Sequence, residues 1–527
     1  MAQISRHKGG GYITFDESDW NSGFMPQGGQ DSALLLKGNG NRYSLNFDPY
    51  RNLGFASPGF NPVNATNNAQ VTGAITATVL RNATYEYGVS SDGKVHEHSI
   101  ITNTVTNAGS FPHVIDHAHT GETGSDVIIY RHNLGGVLKT SLFYSFYDAT
   151  DWDVGCYEDF TTFNDDFMST VPATPLAGTD LTLGKSLPHP LEVGADDILY
   201  MGSGRYLHAY DGTTGANGTF YSQVLTLPAG FIIQDLLKTE QYLLIAGVFS
   251  SGTVVPTVDE SQEAYIYTWN YLDQDVTDII PLDDQYVSVL RLWRNRPTAI
   301  TAGEKGNRGR NRVKIILGSV AETVAEYFGS QPSLGGVDSA SDQLLINSAG
   351  VIVTIGTPFD SNTYEVNRIT STGLTTESGF IRNVFSTNQK IFASAGAQLV
   401  ELSSGFKDTA SYYSGIVEPT FSTGVKGRIK AASIIYKGAF TAAASRNFAL
   451  QFFTDYDNVS TLAYTNVTAI TAANLMQKVT YNTSGTAFPE FFNLGLVMTW
   501  SDGVAGTNAA QVSKVIVEFE EVEYINT

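Results

Sequence analysis

The sequence predicts an all-β protein: a β-propeller of about seven blades followed by a C-terminal β-sandwich. Three observations predict it. Short apolar or alternating runs, broken by Gly, Asn, Asp, Ser and Pro, fill most of the chain, which is the strand-and-turn pattern. A unit of strand, tight turn and strand recurs about seven times at spacings of roughly 30 to 70 residues, the tighter ones matching a propeller blade. After Val417 the runs lengthen and the repeat stops.

Residues 1–66 lack the repeat's rhythm and are rich in Gly, Asn and Pro, so they read as an arm or cap that also supplies a propeller-closing strand. The propeller is expected over 67–417. Its clearest unit runs from Ile198 to Gly212, with strands on either side of Gly202 to Gly204. Similar units are Thr84 to Ile100, Val127 to Tyr144, Leu243 to Phe249 with Ala264 to Trp269, Val313 to Ser319, Leu344 to Ile355, and Ile391 to Leu402. Two short segments, Ala321 to Phe328 and Ala472 to Val479, carry a helical pattern. The change of texture places a boundary near Glu418-Pro419, and 418–527 reads as the sandwich. There Lys514-Val515-Ile516-Val517-Glu518-Phe519 alternates as a half-buried strand does.

Composition narrows the function. The chain has 31 Lys and Arg against 52 Asp and Glu, a net charge of −21. The negative field argues against a general nucleic-acid coat. Hydrophobic residues make up 42%, too many for a disordered acidic chain. Cys156 is the sole cysteine, so this is no disulfide scaffold. No apolar run reaches the ~18 residues of a membrane helix. The first residues have no apolar stretch of the secretory kind, which predicts synthesis in a cytoplasm.

Histidine forms the most unusual cluster. Six of nine lie between His96 and His132, with Glu122 and Asp126 nearby. His96 and His98 share one face of a strand by the two-residue period. Imidazoles with carboxylates suit a transition metal. The ligands to test are His96, His98, His117 and His119; the other reading is a polar rim in which histidines serve as hydrogen-bonding residues. Otherwise no cofactor is expected. Basic residues gather at Arg291, Arg294, Arg296, Lys305, Arg308, Arg310, Arg312 and Lys314, with Gly303 to Arg310 read as a loop. The strip fits a contact with an acidic neighbouring subunit, a solvated loop, or nucleic-acid phosphates. Acidic groups recur at Asn164-Asp165-Asp166, Asp273-Gln274-Asp275, Asp283-Asp284 and Asp455-Tyr456-Asp457-Asn458. Asp455, Asp457 and Asn458 offer calcium ligands, although turn chemistry explains such residues as well. Acidic neighbours are expected to raise the Cys156 pKa and oppose a thiolate, so no catalytic nucleophile is assigned to it.

Phe47 to Phe60, Phe163 to Pro172, Leu199 to Gly212, and Thr499-Trp500 to Tyr524 resemble stretches of virion-associated proteins of tailed bacteriophages. That family includes tail nozzle proteins built on β-propellers and tail-tip components. The resemblance implies a structural part of a phage tail, located in the virion and made in the host cytoplasm. It implies no enzyme and no active-site residue. Implied partners are other tail or adaptor proteins, further copies in a symmetric homo-oligomer, a host surface receptor, and DNA passing without sequence readout. The alternative is a receptor- or glycan-binding propeller, with Trp269, Trp293 and Tyr206 stacking on sugars. A polysaccharide-degrading enzyme comes third.

Overall fold

The computed structural model describes residues 3–7, 9–16, 41–45, 58–62, 71–102, 104–106, 109–117, 121–250, 262–304, 307–328, 337–340, 343–348, 351–356, 365–370, 381–387, 390–395, 398–406, 409–414, 417, 419, 421, 424–437, 447–454, 463–466, 477–482, 490–501 and 511–523. They are nearly all β. Helix among them is limited to Phe167–Thr170 and a 3-10 turn at Gly178–Thr182.

Among the described residues, seven sheets are built on four consecutively paired strands. Sheet one is Ile75–Leu80, Tyr85–Ser90, Lys94–Ser99 and Thr104–Val105, with His113–Val114 as a second partner of Lys94–Ser99. Sheet two is Thr123–Leu134, Val137–Tyr147, Trp152–Glu158 and Thr162–Asn164. Sheet three is Leu191–Val193, Leu199–Ser203, Tyr206–Asp211 and Thr219–Thr226. Sheet four is Phe231–Lys238, Leu243–Phe249, Glu263–Trp269 and Asp278–Pro281. Sheet five is Asp284–Trp293, Arg296–Glu304, Asn307–Leu317 and Val320–Phe328. Sheet six is Val337–Ala340, Gln343–Ser348, Val351–Gly356 and Glu365–Thr370. Sheet seven is Ile381–Thr387, Lys390–Ala395, Gln398–Phe406 and Pro58–Pro62.

Backbone contacts group the chain into two compact units that interleave along the sequence. One holds Met1–Asn61, Val353–Thr375 and Leu402–Thr527; the other holds Pro62–Ile352 and Thr376–Glu401. The sequence division at 66/67 and 417/418 is linear by comparison.

In the second unit, sheets one to five are antiparallel meanders whose tight turns fall where Gly, Asn and Asp cluster. Gly204 has φ of +57° in the turn between Leu199–Ser203 and Tyr206–Asp211, a conformation that favours glycine. The first strand of each sheet neighbours the first strand of the next, from sheet one through sheet seven, and Ile381–Thr387 neighbours Ile75–Leu80. A single sheet cannot bury both faces, so the apolar clusters form between sheets. Tyr87, Val89, Leu142 and Tyr144 join sheets one and two. Phe143, Trp152, Leu199 and Tyr210 join two and three. Leu207, Leu225, Ile245 and Trp269 join three and four. Ala246, Ile266, Val287 and Ala299 join four and five. Each large apolar side chain so buried contributes about 1.5–3 kcal/mol.

In the first unit, Gln3–His7, Gly10–Asp16, Gln511–Glu523, Val425–Lys437 and Gln477–Asn482 form one sheet in that order, with Glu490–Phe491 paired to Val425–Lys437. Asn41–Leu45, Thr409–Ser414, Leu494–Ser501, Asn447–Thr454 and Ala463–Asn466 form another. The alternation read at 514–519 is present: Val515, Val517 and Phe519 are buried and their neighbours are not. Phe421, Phe491 and Phe519 meet edge to face.

Two expectations fail. Ala321 to Phe328 is not helical but lies in the strand Val320–Phe328, because the Gly318 turn folds it back onto Asn307–Leu317. Gln477–Asn482 is likewise a strand, and residues 472–476 lie outside the described residues.

Candidate functional site

The densest group of possible ligands gathers where the tail of sheet one meets sheet two. His113–Val114 pairs on Lys94–Ser99, and the chain then runs on through Ile115 and Asp116 to His117. Three contacts hold this segment down. The His113 ring is 2.8 Å from Asp165 Oδ1, the Asp116 N–H donates to Asp165 Oδ2 at 2.8 Å, and His117 Nδ1 lies 2.5 Å from Asp166 Oδ1. His113 also stacks on Phe163 at 3.7 Å, and His117 meets the buried Phe146 ring edge-on at 5.4 Å.

Below His117 lies Asp153, on the third strand of sheet two, fully buried. Its Oδ1 accepts the Val154 N–H at 2.7 Å. Its Oδ2 has no hydrogen-bond partner and lies 3.9 Å from His117 Nδ1. The nearby Ser169 hydroxyl donates to the Asp166 carbonyl at 3.2 Å and stands close enough to the Asp153 carboxyl to favour its charged form. Burial pushes the Asp153 carboxyl up to about 7, eased in part by Ser169 and the Val154 N–H. On the far side of the ring, Asp151 Oδ1 is 3.7 Å from His117 Nε2. One donor atom each from His117, Asp153 and Asp166 fall within 4.8 Å of one another.

Of the four histidines named from sequence, the three in the described residues do not gather in one group. His96 and His98 do share a strand, but His96 Nε2 is 3.1 Å from the Ser90 hydroxyl and His98 Nδ1 is 3.4 Å from Glu86 Oε2. Burial lowers the His96 pKa to about 4 and raises that of Glu86, which His98 opposes. Neither belongs to the group around Asp153. His119 lies outside the described residues, as do Asp455, Asp457 and Asn458. The signal for Asp153 was present in Trp152-Asp153-Val154-Gly155-Cys156, where a lone carboxylate interrupts a buried strand.

A second polar cluster lies at a pocket lined by the first strands of sheets one, two, four and five and by Pro188 and Pro190. Asp126, part-buried, and Asp235, buried, sit here. Burial pushes Asp126 up to about 6 and raises Asp235, whose charge Arg291 supports at 2.9 Å. Asp126, noted beside the histidines, thus belongs to this pocket.

The basic strip is no loop. Gly303 and Glu304 end one strand and Asn307 begins the next, and the two strands pair antiparallel. Much of its charge is used within the chain. Arg291 pairs with Asp235, Arg310 with Glu326, Arg312 with Asp284 and Glu326, and Lys314 with Asp284. Arg294 lies over the Trp293 ring at 5.4 Å, and Arg296 is exposed at the adjoining turn. Lys305 and the Arg308 side chain lie outside the described residues. Cys156 is buried, and burial, more than the nearby Glu158, holds its thiol well above the usual range. Trp269 and Trp293 are also buried, at 3% and 1% exposure, so neither presents a ring face to a sugar.

Comparison with models of known protein families and with curated protein sequences finds no match.

Proposed function

We propose that this chain is a structural component of a bacteriophage tail, acting through protein–protein assembly, and that its core is a seven-bladed β-propeller with a C-terminal β-sandwich. One observation carries the architecture. The first strands of the seven four-strand sheets neighbour one another in chain order, and the seventh neighbours the first. A radial ring of blades has this contact pattern. Pro58–Pro62, ahead of sheet one in the chain, is the fourth strand of sheet seven and would act as the closing strand.

The role rests on the stretches that resemble tailed-phage virion proteins, and on charge. A net charge of −21 would keep passing DNA from adhering to a conduit. The buried Trp269 and Trp293 weigh against the glycan-binding alternative. Any subunit contact by the basic strip falls most readily to the exposed Arg296 turn, since Arg291, Arg310 and Arg312 already hold internal carboxylates.

Electron microscopy of the purified full chain, with mass determination in solution, tests both parts. Seven radial spokes are expected in face view, and closed rings or tubes in the assembled form. An open array of sheets would refute the propeller. Single particles that neither self-assemble nor bind purified tail or adaptor complexes would refute the assembly role. An N-terminal deletion is a poor substitute, because Gly10–Asp16 pairs along Gln511–Glu523 and its removal exposes a sheet edge.

A further inference from the structure

We propose that His117, Asp153 and Asp166 form a divalent transition-metal site, with zinc as the fitting ion and Asp151 as the residue that orients the imidazole. This goes beyond the assembly reading and does not depend on it.

The donor set is the first ground. One imidazole nitrogen and two carboxylate oxygens are ordinary zinc ligands, at ~2.0–2.2 Å from the metal. Donors around a tetrahedral ion at that distance stand roughly 3.3–3.5 Å apart. His117 Nδ1 is 2.5 Å from Asp166 Oδ1 and 3.9 Å from Asp153 Oδ2, and the three donors lie within 4.8 Å of one another, so modest side-chain shifts reach that geometry.

Asp153 is the second and independent ground. A fully buried carboxylate oxygen without a hydrogen-bond partner is costly, and protein folds rarely leave one without a reason. This one lies 3.9 Å from His117 Nδ1. A cation held between them would supply the missing counter-charge, and the carboxylate would then be a ligand, not a liability.

The far side of the ring is the third. When Nδ1 binds a metal, Nε2 carries the proton and needs an acceptor. Asp151 Oδ1 lies 3.7 Å from Nε2, which places a carboxylate where metal-bound histidines usually find one. Asp166 is about half exposed, its side chain at 49%, so an ion has a route in from solvent.

The site would fasten two parts of the fold. His117 ends the segment leaving sheet one; Asp153 is on the third strand of sheet two and Asp166 follows its fourth. Metal binding would therefore stiffen 113–117 against sheet two.

The test uses the full chain, stripped with a chelator and titrated separately with zinc, manganese and calcium by calorimetry, with metal content measured after dialysis. One zinc per chain is expected, with a melting temperature that rises with zinc concentration and slower amide exchange over 113–117. Asp166→Asn, at an exposed position that leaves the core intact, should weaken zinc at least tenfold, and Asp153→Asn should abolish stoichiometric binding. Asp151→Asn should keep one zinc but weaken it about 10–100-fold, as loss of an orienting carboxylate does. Cobalt in place of zinc should give the absorption of a four-coordinate site in the wild type, with three protein donors and one water. The proposal is overturned if no ion binds stoichiometrically, if zinc binds equally well to Asp153→Asn and Asp166→Asn, or if calcium is preferred to zinc.

Discussion

Asp126 and Asp235 occupy matching positions on the first strands of sheets two and four, and their carboxylates make matching contacts. Each follows a β-bulge, at Gly124/Asp126 and at Ile233/Asp235. Each accepts the next backbone N–H with Oδ1, from Val127 at 2.8 Å and Leu236 at 2.9 Å. Each Oδ2 then reaches the first strand of the following sheet, accepting the Leu191 N–H at 2.8 Å and the Leu290 N–H at 2.7 Å. A bulge re-aims the side chains beside it, and here it turns them toward the neighbouring sheet. Thr76, at the bulge of sheet one, does the same with its hydroxyl, which donates to the Gly124 carbonyl at 3.0 Å.

Asp126→Ala and Asp235→Ala should therefore loosen sheet-to-sheet docking more than the sheets themselves. Each leaves two inner-strand N–H groups without their acceptor, at about 1–3 kcal/mol for each buried group. Asp235→Ala also removes the carboxylate beside Arg291 and should be the worse of the two, by about 1–2 kcal/mol. Urea unfolding of the full-length variants measures this. Wild-type stability in Asp126→Ala would remove the tie from the account.

The cations of sheet five make a second prediction. Asp284 is buried with Lys314 and Arg312 at 3.2 Å each. Asp284→Ala takes the shared buried carboxylate from Lys314 and from Arg312, which keeps Glu326, and about 3–5 kcal/mol should be lost. Lys314→Met paired with Asp284→Leu should recover part of that, because an apolar pair of similar size avoids the desolvation cost. A double variant no better than Asp284→Ala would argue against this account.

Acid sensitivity follows from buried neutral histidines. Burial lowers His208 to about 4 and His189 to about 3, and both pack on Trp152. The unfolded chain binds more protons than the fold wherever pH lies between these values and about 6.5. Stability from these two groups is thus full above pH 6.5 and declines as pH falls. His208 alone accounts for about 2 kcal/mol between pH 7 and pH 5. Asp126 has the opposite sign: its folded value near 6 exceeds the unfolded one, so its share declines as pH rises from about 4 to 6. Comparing wild type with His208→Gln at both pH values isolates the histidine. The gap between them should narrow on acidification; a constant gap would mean His208 is not held neutral.

Close strand packing gives the last prediction. A Cβ on Gly247 would stand 2.3 Å from the Ile232 carbonyl oxygen, in the paired strand of the same sheet. The Ile232 backbone and the buried Phe231 ring, also within 2.6 Å, leave little room to yield, so Gly247→Ala should cost about 1–3 kcal/mol. A thermal melt unchanged by the substitution would show that the two strands can separate cheaply.

Much of the strand layout was legible because it is local. Alternation at Lys514 to Phe519, and Gly-centred turns such as the one read at Gly202 to Gly204, state which residues face inward and where the chain reverses; the fold obeys the first, and the reversal falls at Gly204-Arg205, with Gly202 and Ser203 still paired in the strand. The helix read at Ala321 to Phe328 failed because Ala and Glu favour helices only until a partner strand offers a ladder; Asn307–Leu317 does so across a tight turn. The basic strip was visible as composition, but its pairing with Asp235, Asp284 and Glu326 was not. Those partners lie 14 to 56 residues away from the cations in the chain.

The candidate metal site shows the same division. Sequence identified a cluster of histidines, His117 among them, and the two-residue period correctly put His96 and His98 on one strand. Only the tertiary structure decided that His117 meets Asp153 and Asp166 while His96 and His98 meet Ser90 and Glu86. The physical reason is range. Hydrophobic alternation and turn chemistry act over a few residues, whereas His117 and Asp166 are 49 apart, joined by the docking of one sheet on the next.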